Sequence, residues 1–366
     1  MKIECVKDKL HLVVSKAEKI VSKNTNIPVL SCLLFETKGN NLIVKSNNLD
    51  LGLEMSIPVK VEKHGKVAVP ASIISGFLNN LNEDKNITIE TTENLFKIHT
   101  PTSEASIKTL PAEDFPTIPR VDEGKPCKIS ARDLQSGIRS VIYSSSISSV
   151  KPELSSVYVY GHEEGFVFVA TDSFRLAEKT IKTKKRADLL GVLIPFKNAA
   201  DILKTLDGVD EEIEINSTKN QISLTFNGAY LVSKVVDGTF PDYKQIIPKE
   251  EKTKAVVLKQ DLLNSLKISN IFSDNFNQMN INIKPGGKSI EVKTKNSNIG
   301  ENTNKIDANI TGEGIEVNFN YRYIVDCLPS IVSDSVSLSF NGISKPLVVK
   351  GSSDNTFMYL VMPMNR

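Results

Sequence analysis

Three stretches of the chain carry the same apolar pattern at a constant spacing of 125 residues. The matching positions are Leu78, Leu203 and Leu328, then Leu81, Leu206 and Ile331, and the pair Phe115-Pro116 with Phe240-Pro241. A period of this length indicates that the chain is built from structurally equivalent repeats. A chain of three equivalent repeats favours a symmetric assembly. Such an assembly restricts the possible functions more than any single motif in this sequence does.

The length of the chain agrees with this repeat. A chain of 366 residues suggests about two to three domains, and the repeat favours three of about 120 residues each. Prolines and Gly124 separate the first two repeats, and a charged run at 249–252 separates the last two. We therefore expect domains at 1–120, 127–248 and 253–366.

Each repeat has the same order of predicted elements. A short strand precedes a helix at 3–6, 127–130 and 255–258, and a second helix follows Val69-Pro70, Ile194-Pro195 and Phe319-Asn320. Elsewhere the apolar period is two, as from Leu49 to Val61, and Asn-Gly turns at 227–228 and 341–342 predict hairpins. The fold class is therefore α+β, with two helices and antiparallel sheets in each of three tandem similar domains.

Basic residues are concentrated on predicted helices, although the net charge of the chain is only +2. A helix predicted at 7–23 carries Lys9, Lys16 and Lys23 at seven-residue spacing, and Arg132 and Arg139 repeat this spacing in the second repeat. Such a helix could face an anionic partner on one side and the core on the other. A solvated lysine face explains the same pattern, and both interpretations stay open.

Composition excludes several classes of protein. The chain is 40% hydrophobic and 24% charged, as in ordinary globular proteins, and it has no apolar run of the length that a membrane helix needs. Its first residues lack the pattern of a signal peptide. The four cysteines are far apart in sequence, so we expect reduced thiols, no metal site and a cytoplasmic location.

The sequence gives little support for catalysis. The run 285–288 lacks the spacing and the hydroxyl residue of a phosphate-binding loop, and the four histidines have no partners at ligand spacing. Ser173 is not part of a Gly-x-Ser-x-Gly motif. We predict no catalytic residues and no cofactor. The alternative is an enzyme that acts on small molecules and is built on the same repeated scaffold. A turnover screen with nucleotides tests this alternative.

Three clusters are not explained by core packing alone, namely 170–177, 239–248 and the tail 359–366. The tail holds Met362-Pro363-Met364, and exposed methionines beside proline suit an adaptable apolar groove. Ordinary packing between domains is the alternative explanation for these apolar residues.

Five motifs in this order resemble those of one family along the whole chain: Asn26 to Leu30, Pro111 to Pro116, Ala170 to Ala177, Phe240 to Tyr243, and Val361 to Met364. The chain resembles the bacterial DNA polymerase III beta subunit family of sliding clamps. The resemblance implies a non-catalytic processivity factor, a head-to-tail homodimer whose six domains form a ring around duplex DNA. Basic helices would line the hole and contact phosphates without sequence preference.

The resemblance also implies a groove that binds a short peptide motif of polymerase subunits, the clamp loader and repair proteins. Its residues would be Leu154, Thr171, Phe174, Arg175, Leu176, Pro241, Gln245, Ile246, Tyr323, Pro346, Leu360, Val361, Met362, Pro363 and Met364. Apolar anchors would supply affinity, and Arg175 would shape the wall and hold a peptide carbonyl or carboxylate.

Two further sets of residues follow from helical position and from the resemblance. The DNA-binding set is Lys9, Lys16, Lys23, Asn24, Arg139, Lys197, Lys204 and Lys267, and the dimer interface set is Ala105, Ile107, Ile271 and Phe272. Relatives commonly carry histidine at Phe174, a basic residue at Gln245, arginine at Asn24 and a large apolar residue at Ala105. A clamp paralogue that binds partners without serving as the replicative ring is therefore a second alternative.

Overall fold

The computed structural model describes residues 1–22, 26–81, 86–121, 126–183 and 187–364. Within these ranges the helices are α1 (Lys7–Glu18), α2 (Ala71–Asn80), α3 (Ala131–Val141), α4 (Phe196–Thr205), α5 (Lys259–Ile271) and α6 (Tyr321–Cys327). Short 3-10 turns lie at Pro28–Ser31, Ile142–Ser144, Tyr243–Ile246 and Leu328–Ser330. None of the helices in these ranges is long and apolar enough to cross a membrane.

The strands of the first repeat are β1 (Lys2–Val6), β2 (Cys32–Lys38), β3 (Asn41–Asn47), β4 (Leu51–Pro58), β5 (Lys60–Lys63), β6 (Lys66–Pro70), β7 (Asn86–Thr92), β8 (Leu95–His99) and β9 (Glu104–Lys108). Those of the second are β10 (Cys127–Ser130), β11 (Ser156–His162), β12 (Gly165–Thr171), β13 (Arg175–Lys182), β14 (Val192–Pro195), β15 (Glu212–Ser217), β16 (Gln221–Phe226) and β17 (Ala229–Lys234). Those of the third are β18 (Thr253–Leu258), β19 (Gln278–Ile283), β20 (Ser289–Asn296), β21 (Gly300–Gly312), β22 (Ile315–Asn320), β23 (Ser335–Phe340), β24 (Leu347–Gly351) and β25 (Phe357–Val361).

The predicted repeat is confirmed by the second helix of each repeat. Helices α2, α4 and α6 begin at Ala71, Phe196 and Tyr321, which are 125 residues apart. Each helix directly follows a strand whose final residue is Pro70, Pro195 or Asn320. Proline suits the position before a helix because its ring fixes φ and has no amide hydrogen that the helix would need to satisfy. In the third repeat Asn320 has this position, and its side chain caps α6 by accepting a hydrogen bond from the amide of Arg322. The α+β class with two helices in each repeat is confirmed.

Three element bounds differ from the predictions. Helix α1 ends at Glu18 rather than near residue 23, because the amides of Lys19 and Ile20 turn to carbonyls three residues back. The predicted strand from Leu49 to Val61 is wrong at its start, since Leu49 lies in a turn with φ of 75°. It is also not one strand, because β4 ends at Pro58 and β5 begins at Lys60 in a different sheet. The Asn-Gly pair at 227–228 makes a tight hairpin, whereas the pair at 341–342 lies in a longer loop between β23 and β24.

One compact unit, the amino-terminal unit, consists of residues 1–135 and 188–237. It holds two antiparallel sheets with strand orders β5-β1-β7-β8-β9 and β10-β15-β16-β17-β4-β3-β2-β6. Helix α1 packs on α2 and on strands β3 and β4. Strand β17 of the second repeat pairs with β4 of the first, so the two repeats share one sheet.

The other compact unit, the carboxy-terminal unit, consists of residues 136–187 and 238–366. Its strands run in the order β11-β12-β13-β25-β24-β23-β18-β21-β20-β19-β22. Strand β25 of the third repeat pairs with β13 of the second, with Leu360 opposite Leu176. Neighbouring repeats thus share sheets, and the compact units divide the second repeat rather than follow the repeat boundaries.

Candidate functional site

The turn between β12 and β13 is fixed by its own polar side chains. The Asp172 carboxylate accepts hydrogen bonds from the amides of Phe174 and Arg175, both at 3.0 Å, and the Thr171 hydroxyl accepts one from the amide of Ser173. Ser173 has a φ of 78°. Because these bonds hold the backbone, the Phe174 side chain projects outward with 61% of its surface exposed.

Arg175 is the centre of a charged cluster within the carboxy-terminal unit. Its Nε donates to Asp172 Oδ2 at 2.9 Å, its Nη1 donates to Asp326 Oδ2 at 2.6 Å, and its guanidinium lies 4.5 Å from the ring centre of Tyr323. Burial alone lowers the pKa of Arg175, but Tyr359 and the two carboxylates outweigh it and raise the pKa above its usual value. The guanidinium is engaged by the chain's own acids, which favours a role in shaping the wall over contact with a peptide carboxylate.

Strands β13, β25 and β24 form a floor beside this cluster. Leu176 and Leu360 face each other across β13 and β25, and both are buried, as is Val361. The tail then follows the floor through backbone bonds, from the amide of Met362 to the Phe174 carbonyl and from the amide of Met364 to the Asn318 carbonyl, both at 2.8 Å. Met362 is exposed, and Pro363 and Met364 are half-buried.

The 3-10 turn Tyr243–Ile246 provides a second wall. The Tyr243 hydroxyl donates to Glu178 at 2.5 Å and lies 2.9 Å from the Tyr160 hydroxyl, and burial raises the pKa of Tyr243. This anchor leaves Ile246 and Gln245 exposed, with the Gln245 amide donating to Asp242 at 2.8 Å. A partly buried polar network therefore holds this wall in place.

All fifteen residues predicted for the groove lie in the carboxy-terminal unit. Six of them are buried in the folded chain, namely Leu154, Thr171, Leu176, Pro346, Leu360 and Val361. Phe174, Ile246 and Met362 expose apolar surface, and Pro241 and Gln245 are also exposed. The arrangement is an apolar surface on a buried floor, which suits the anchoring side chains of an extended peptide.

Sequence reasoning missed several residues that hold this surface. Asp326 is the most important of them, because it neutralises Arg175 from a position 151 residues away. Its placement three residues after Tyr323, on the same face of α6, was the available indication. The network of Glu178 and Tyr160 under Tyr243 had no comparable indication in the sequence.

The predicted DNA-binding residues fall into three groups. Lys9, Arg139, Lys197, Lys204 and Lys267 are exposed on helices. Lys204 also pairs with Asp201 at 2.8 Å. Lys23 and Asn24 lie outside the described residues. Lys16 is different, because it is only 7% exposed.

Lys16 binds the carboxyl end of α4 rather than facing solvent. Its ammonium donates to the carbonyls of Thr205 at 3.0 Å and Asp207 at 3.1 Å. Lys19 and Gln135 donate to neighbouring carbonyls of the same helix end. Burial lowers the pKa of Lys16, with repulsion from Lys19 adding to it. A cation at this end stabilises the helix, so we leave Lys16 out of the DNA-facing set.

The predicted dimer interface residues lie at strand edges and a helix end. Ala105 and Ile107 are on β9, the last strand of its sheet, with Ile107 buried and Ala105 half-buried. Ile271 ends α5 with 62% of its surface exposed, and Phe272 beside it is half-buried. In β21, residues 300–307 pair with β20, whereas β18 pairs only with residues 308–312.

The described part of the chain contains no group of three or more histidine, cysteine or acidic side chains that could hold a metal ion. All four cysteines are buried, and burial raises the pKa of Cys5 to about 12. These thiols are therefore protonated at neutral pH.

Models of three consecutive domains match the chain. They are the N-terminal, central and C-terminal domains of the DNA polymerase III beta subunit, at residues 1–119, 128–242 and 244–365. A beta sliding clamp of Synechococcus elongatus is 26% identical, covering 100% of this chain and 99% of the relative.

Solved structures agree in fold along the whole chain. A DNA polymerase sliding clamp of Bacillus subtilis has a TM-score of 0.94 at 26% identity, covering 100% of this chain and 99% of that one. A sliding clamp of Pseudomonas aeruginosa bound to griselimycin has a TM-score of 0.94 at 23% identity, with 100% of both chains covered. Together with the repeats, the shared sheets and the three matched domains, these likenesses establish that the chain belongs to the DNA polymerase III beta subunit family, whose members are the non-catalytic sliding clamps of DNA polymerase.

Proposed function

We propose that two copies of this chain close a ring around duplex DNA and hold a DNA polymerase on it. The observation that carries this proposal is the match of three clamp domains, in order, along nearly the whole chain. We further propose that these domains span 1–120, 127–248 and 253–366, and that the ring acts in the cytoplasm.

Two open strand edges support head-to-tail closure of the ring. Strand β9 ends one sheet of the first repeat, and residues 300–307 of β21 have a side not taken by β18. An exposed edge offers unpaired backbone groups to another strand. Each copy would give its β9 edge to the β21 edge of the other, with Ile271 and Phe272 as apolar contacts beside it.

Exposed basic residues on the helices support contact with DNA. Lys9, Lys197 and Lys267 are exposed on α1, α4 and α5, and none of them needs to recognise a base. Phosphate contacts of this kind weaken as salt rises, and a closed ring keeps the DNA even when they are weak. Arg139 and Lys204 extend this set, and Lys23 and Asn24 stay as predictions.

The apolar surface of the carboxy-terminal unit supports a peptide site. Phe174, Ile246 and Met362 expose apolar side chains around a floor of buried leucines. An extended segment with leucine or aromatic side chains would bury them there, and polymerase subunits, the clamp loader and repair proteins would present such segments. Phe174 and Gln245 make this surface less basic than that of relatives with histidine and a basic residue at these two positions.

Retention on circular DNA tests the proposal. The protein is loaded on nicked circular DNA by its matching clamp loader, unbound protein is removed, and the circle is then cut once. Release on cutting is expected, because a ring slides off a free end. Retention on the linear product would show ordinary DNA binding and refute the ring. Failure to load with the matching loader would favour the paralogue.

A further inference from the structure

The amino-terminal unit contains a second turn built like the one that carries Phe174. Asn48 Oδ1 accepts hydrogen bonds from the amides of Asp50 at 3.0 Å and Leu51 at 2.7 Å, as Asp172 does for the two residues after Ser173. Asn47 Oδ1 accepts one from the amide of Leu49 at 2.7 Å. Leu49 has a φ of 75°, against 78° for Ser173, which lies 124 residues later. The same turn, with the same pattern of side-chain to backbone hydrogen bonds, therefore occurs in both units.

The strand added beside this turn is also equivalent. Ser233 and Val232 on β17 pair with Leu51 and Gly52, as Val361 and Leu360 on β25 pair with Arg175 and Leu176. The amide of Lys234 donates to the Asp50 carbonyl at 2.8 Å, and the amide of Met362 donates to the Phe174 carbonyl at 2.8 Å. This register makes Lys234 the counterpart of Met362, and Asp50 the counterpart of Phe174.

A cavity of about 180 Å³ lies at the second turn. It is lined by Asn47, Leu49, Asp50, Leu51, Gly52, Pro116, Thr117, Pro119, Gln221, Val232 and Lys234. These positions are the counterparts of the groove turn, of the wall that begins at Pro241, of Pro346 and of the β25 floor. The cavity therefore occupies, in the amino-terminal unit, the place that the peptide groove has in the carboxy-terminal unit.

The chain's own segment 117–121 fills part of this second site. Ile118 is buried and packs with Val121, Val232 and Tyr230. Gly52 stands where the other groove has Leu176, and a Cβ at position 52 would lie 3.1 Å from Ile118 Cγ2. The missing side chain of Gly52 therefore makes room for Ile118.

Polar contacts fasten the segment in this position. The Tyr230 hydroxyl accepts a hydrogen bond from the amide of Val121 at 2.8 Å and donates to the Pro119 carbonyl at 3.2 Å. The Arg120 guanidinium lies 4.2 Å from the centre of the Tyr230 ring and pairs with Glu54 at 2.7 Å. The hydroxyl and ring of Tyr230 and the carboxylate of Glu54 therefore all hold the segment in place.

We propose that the amino-terminal unit holds a second peptide-binding groove of the same class, which the chain's own Ile118 closes. An extended peptide with leucine and phenylalanine side chains is its ligand once Ile118 is removed. This inference rests on the proposed partner groove. It explains why a chain with two such turns, each beside an added strand, has one open site. The rim differs as well, because Asp50 and Lys234 form an ion pair at 3.4 Å where the open groove has Phe174 and Met362.

A pair of matched reporters tests the proposal. Asn220 is exposed just before Gln221, and Lys345 is exposed just before Pro346, so a dye on Asn220→Cys or Lys345→Cys reports on one groove each. The native cysteines are all buried, which keeps labelling selective. The probe is a synthetic decapeptide with adjacent leucine and phenylalanine, and the same peptide with serine at both positions is its control.

The opening variant combines Ile118→Ala, Arg120→Ala and Lys234→Met in the full-length protein. Its stoichiometry by calorimetry should rise from one peptide per chain to two, and the dye at position 220 should respond only in this variant. The second site should be about tenfold weaker, because Gly52 and Val232 offer a smaller apolar floor than two leucines. A variant of matched composition with Ile73→Ala, Arg132→Ala and Lys60→Met should stay at one.

Stoichiometry of one and a silent dye at position 220, in an opening variant that keeps its circular dichroism, would overturn the second groove. If the triple variant does not fold, the single variant Ile118→Ser takes its place, and the same silence overturns the proposal. A silent dye at position 345 in the otherwise unchanged protein would instead refute the partner groove itself. The two failures are therefore distinguishable.

Discussion

Replacing Arg175 by methionine should lower both the stability of the carboxy-terminal unit and its affinity for a partner peptide. The side chains of Arg175 and Asp172 are 13% and 15% exposed, so their bond is a buried charge-assisted one of about 1.5–3 kcal/mol. The Asp326 carboxylate is 43% exposed, and its pairing adds at most about 1 kcal/mol. Methionine keeps part of the packing, and we expect the free energy of unfolding to fall by about 2–4 kcal/mol.

Urea unfolding followed by circular dichroism measures this loss, since the chain has no tryptophan to follow. Phe174→Ser is the matched control, because Phe174 is exposed and lies in the turn that directly precedes Arg175. It should weaken peptide binding but change the free energy of unfolding by less than about 0.5 kcal/mol. Arg175→Lys should fall between Arg175→Met and the unchanged protein, because an ammonium keeps the charge but loses the planar fork.

The reasoning about Arg175 is refuted if Arg175→Met abolishes peptide binding while the urea midpoint stays unchanged. That result would mean that the guanidinium contacts the peptide directly and that Asp172 and Asp326 are well solvated without it. A loss of stability with unchanged peptide affinity would also refute it, because the wall would then not depend on this cluster.

Four further outcomes follow from the described contacts. Gly137→Ala should destabilise α3 by about 1–3 kcal/mol in thermal unfolding, because the new Cβ would clash with the buried ring of Phe168. Gly76→Ala in α2 should stabilise, because its Cβ meets nothing within 4 Å. Lys16→Met should lower the urea midpoint but leave retention on circular DNA unchanged. Burial acts to raise the pKa of Asp354, but hydrogen bonds from Thr356 and the ammonium of Lys179 hold that pKa below its usual value. The ionised carboxylate therefore stabilises the fold above about pH 4, and this stabilisation is lost as the pH falls further. Below pH ~4, the difference in unfolding free energy between the unchanged protein and Asp354→Asn should shrink. Ile271→Asp should give monomers in sedimentation if α5 ends at the dimer interface, and unchanged dimers would contradict that assignment.

The repeat and the helix starts were predictable because they depend on local patterns. Proline or asparagine at the end of a strand fixes where α2, α4 and α6 begin, and the apolar spacing fixes the face that each helix buries. The role of Lys16 was not predictable in the same way. Its seven-residue spacing from Lys9 is a local fact, but its partners are carbonyls at and just after the end of α4, 189 and 191 residues away.

The sequence predicts which residues form the groove, but it does not give the contacts that these residues make. Whether Arg175 faces a peptide or the chain's own acids depends on Asp326, and nothing near Arg175 in sequence indicates that carboxylate. The exposure of Phe174 depends in turn on the positive φ of Ser173, which a serine rarely adopts without side-chain support. Sequence patterns locate such a turn, and only the packed fold determines which side chain it turns outward.

The proposed peptide groove and its proposed counterpart in the amino-terminal unit show which features the backbone determines and which the side chains determine. Both have the same turn and the same added strand, with a hydrogen bond of the same length joining them. The difference between an open and a closed site then depends on side chains. Leu176 fills the floor of one groove, whereas Gly52 admits Ile118 in the other and Asp50 pairs with Lys234 at its rim. A repeated fold can therefore carry a single peptide site per chain without changing its backbone, provided that one linker supplies an apolar side chain to its own groove.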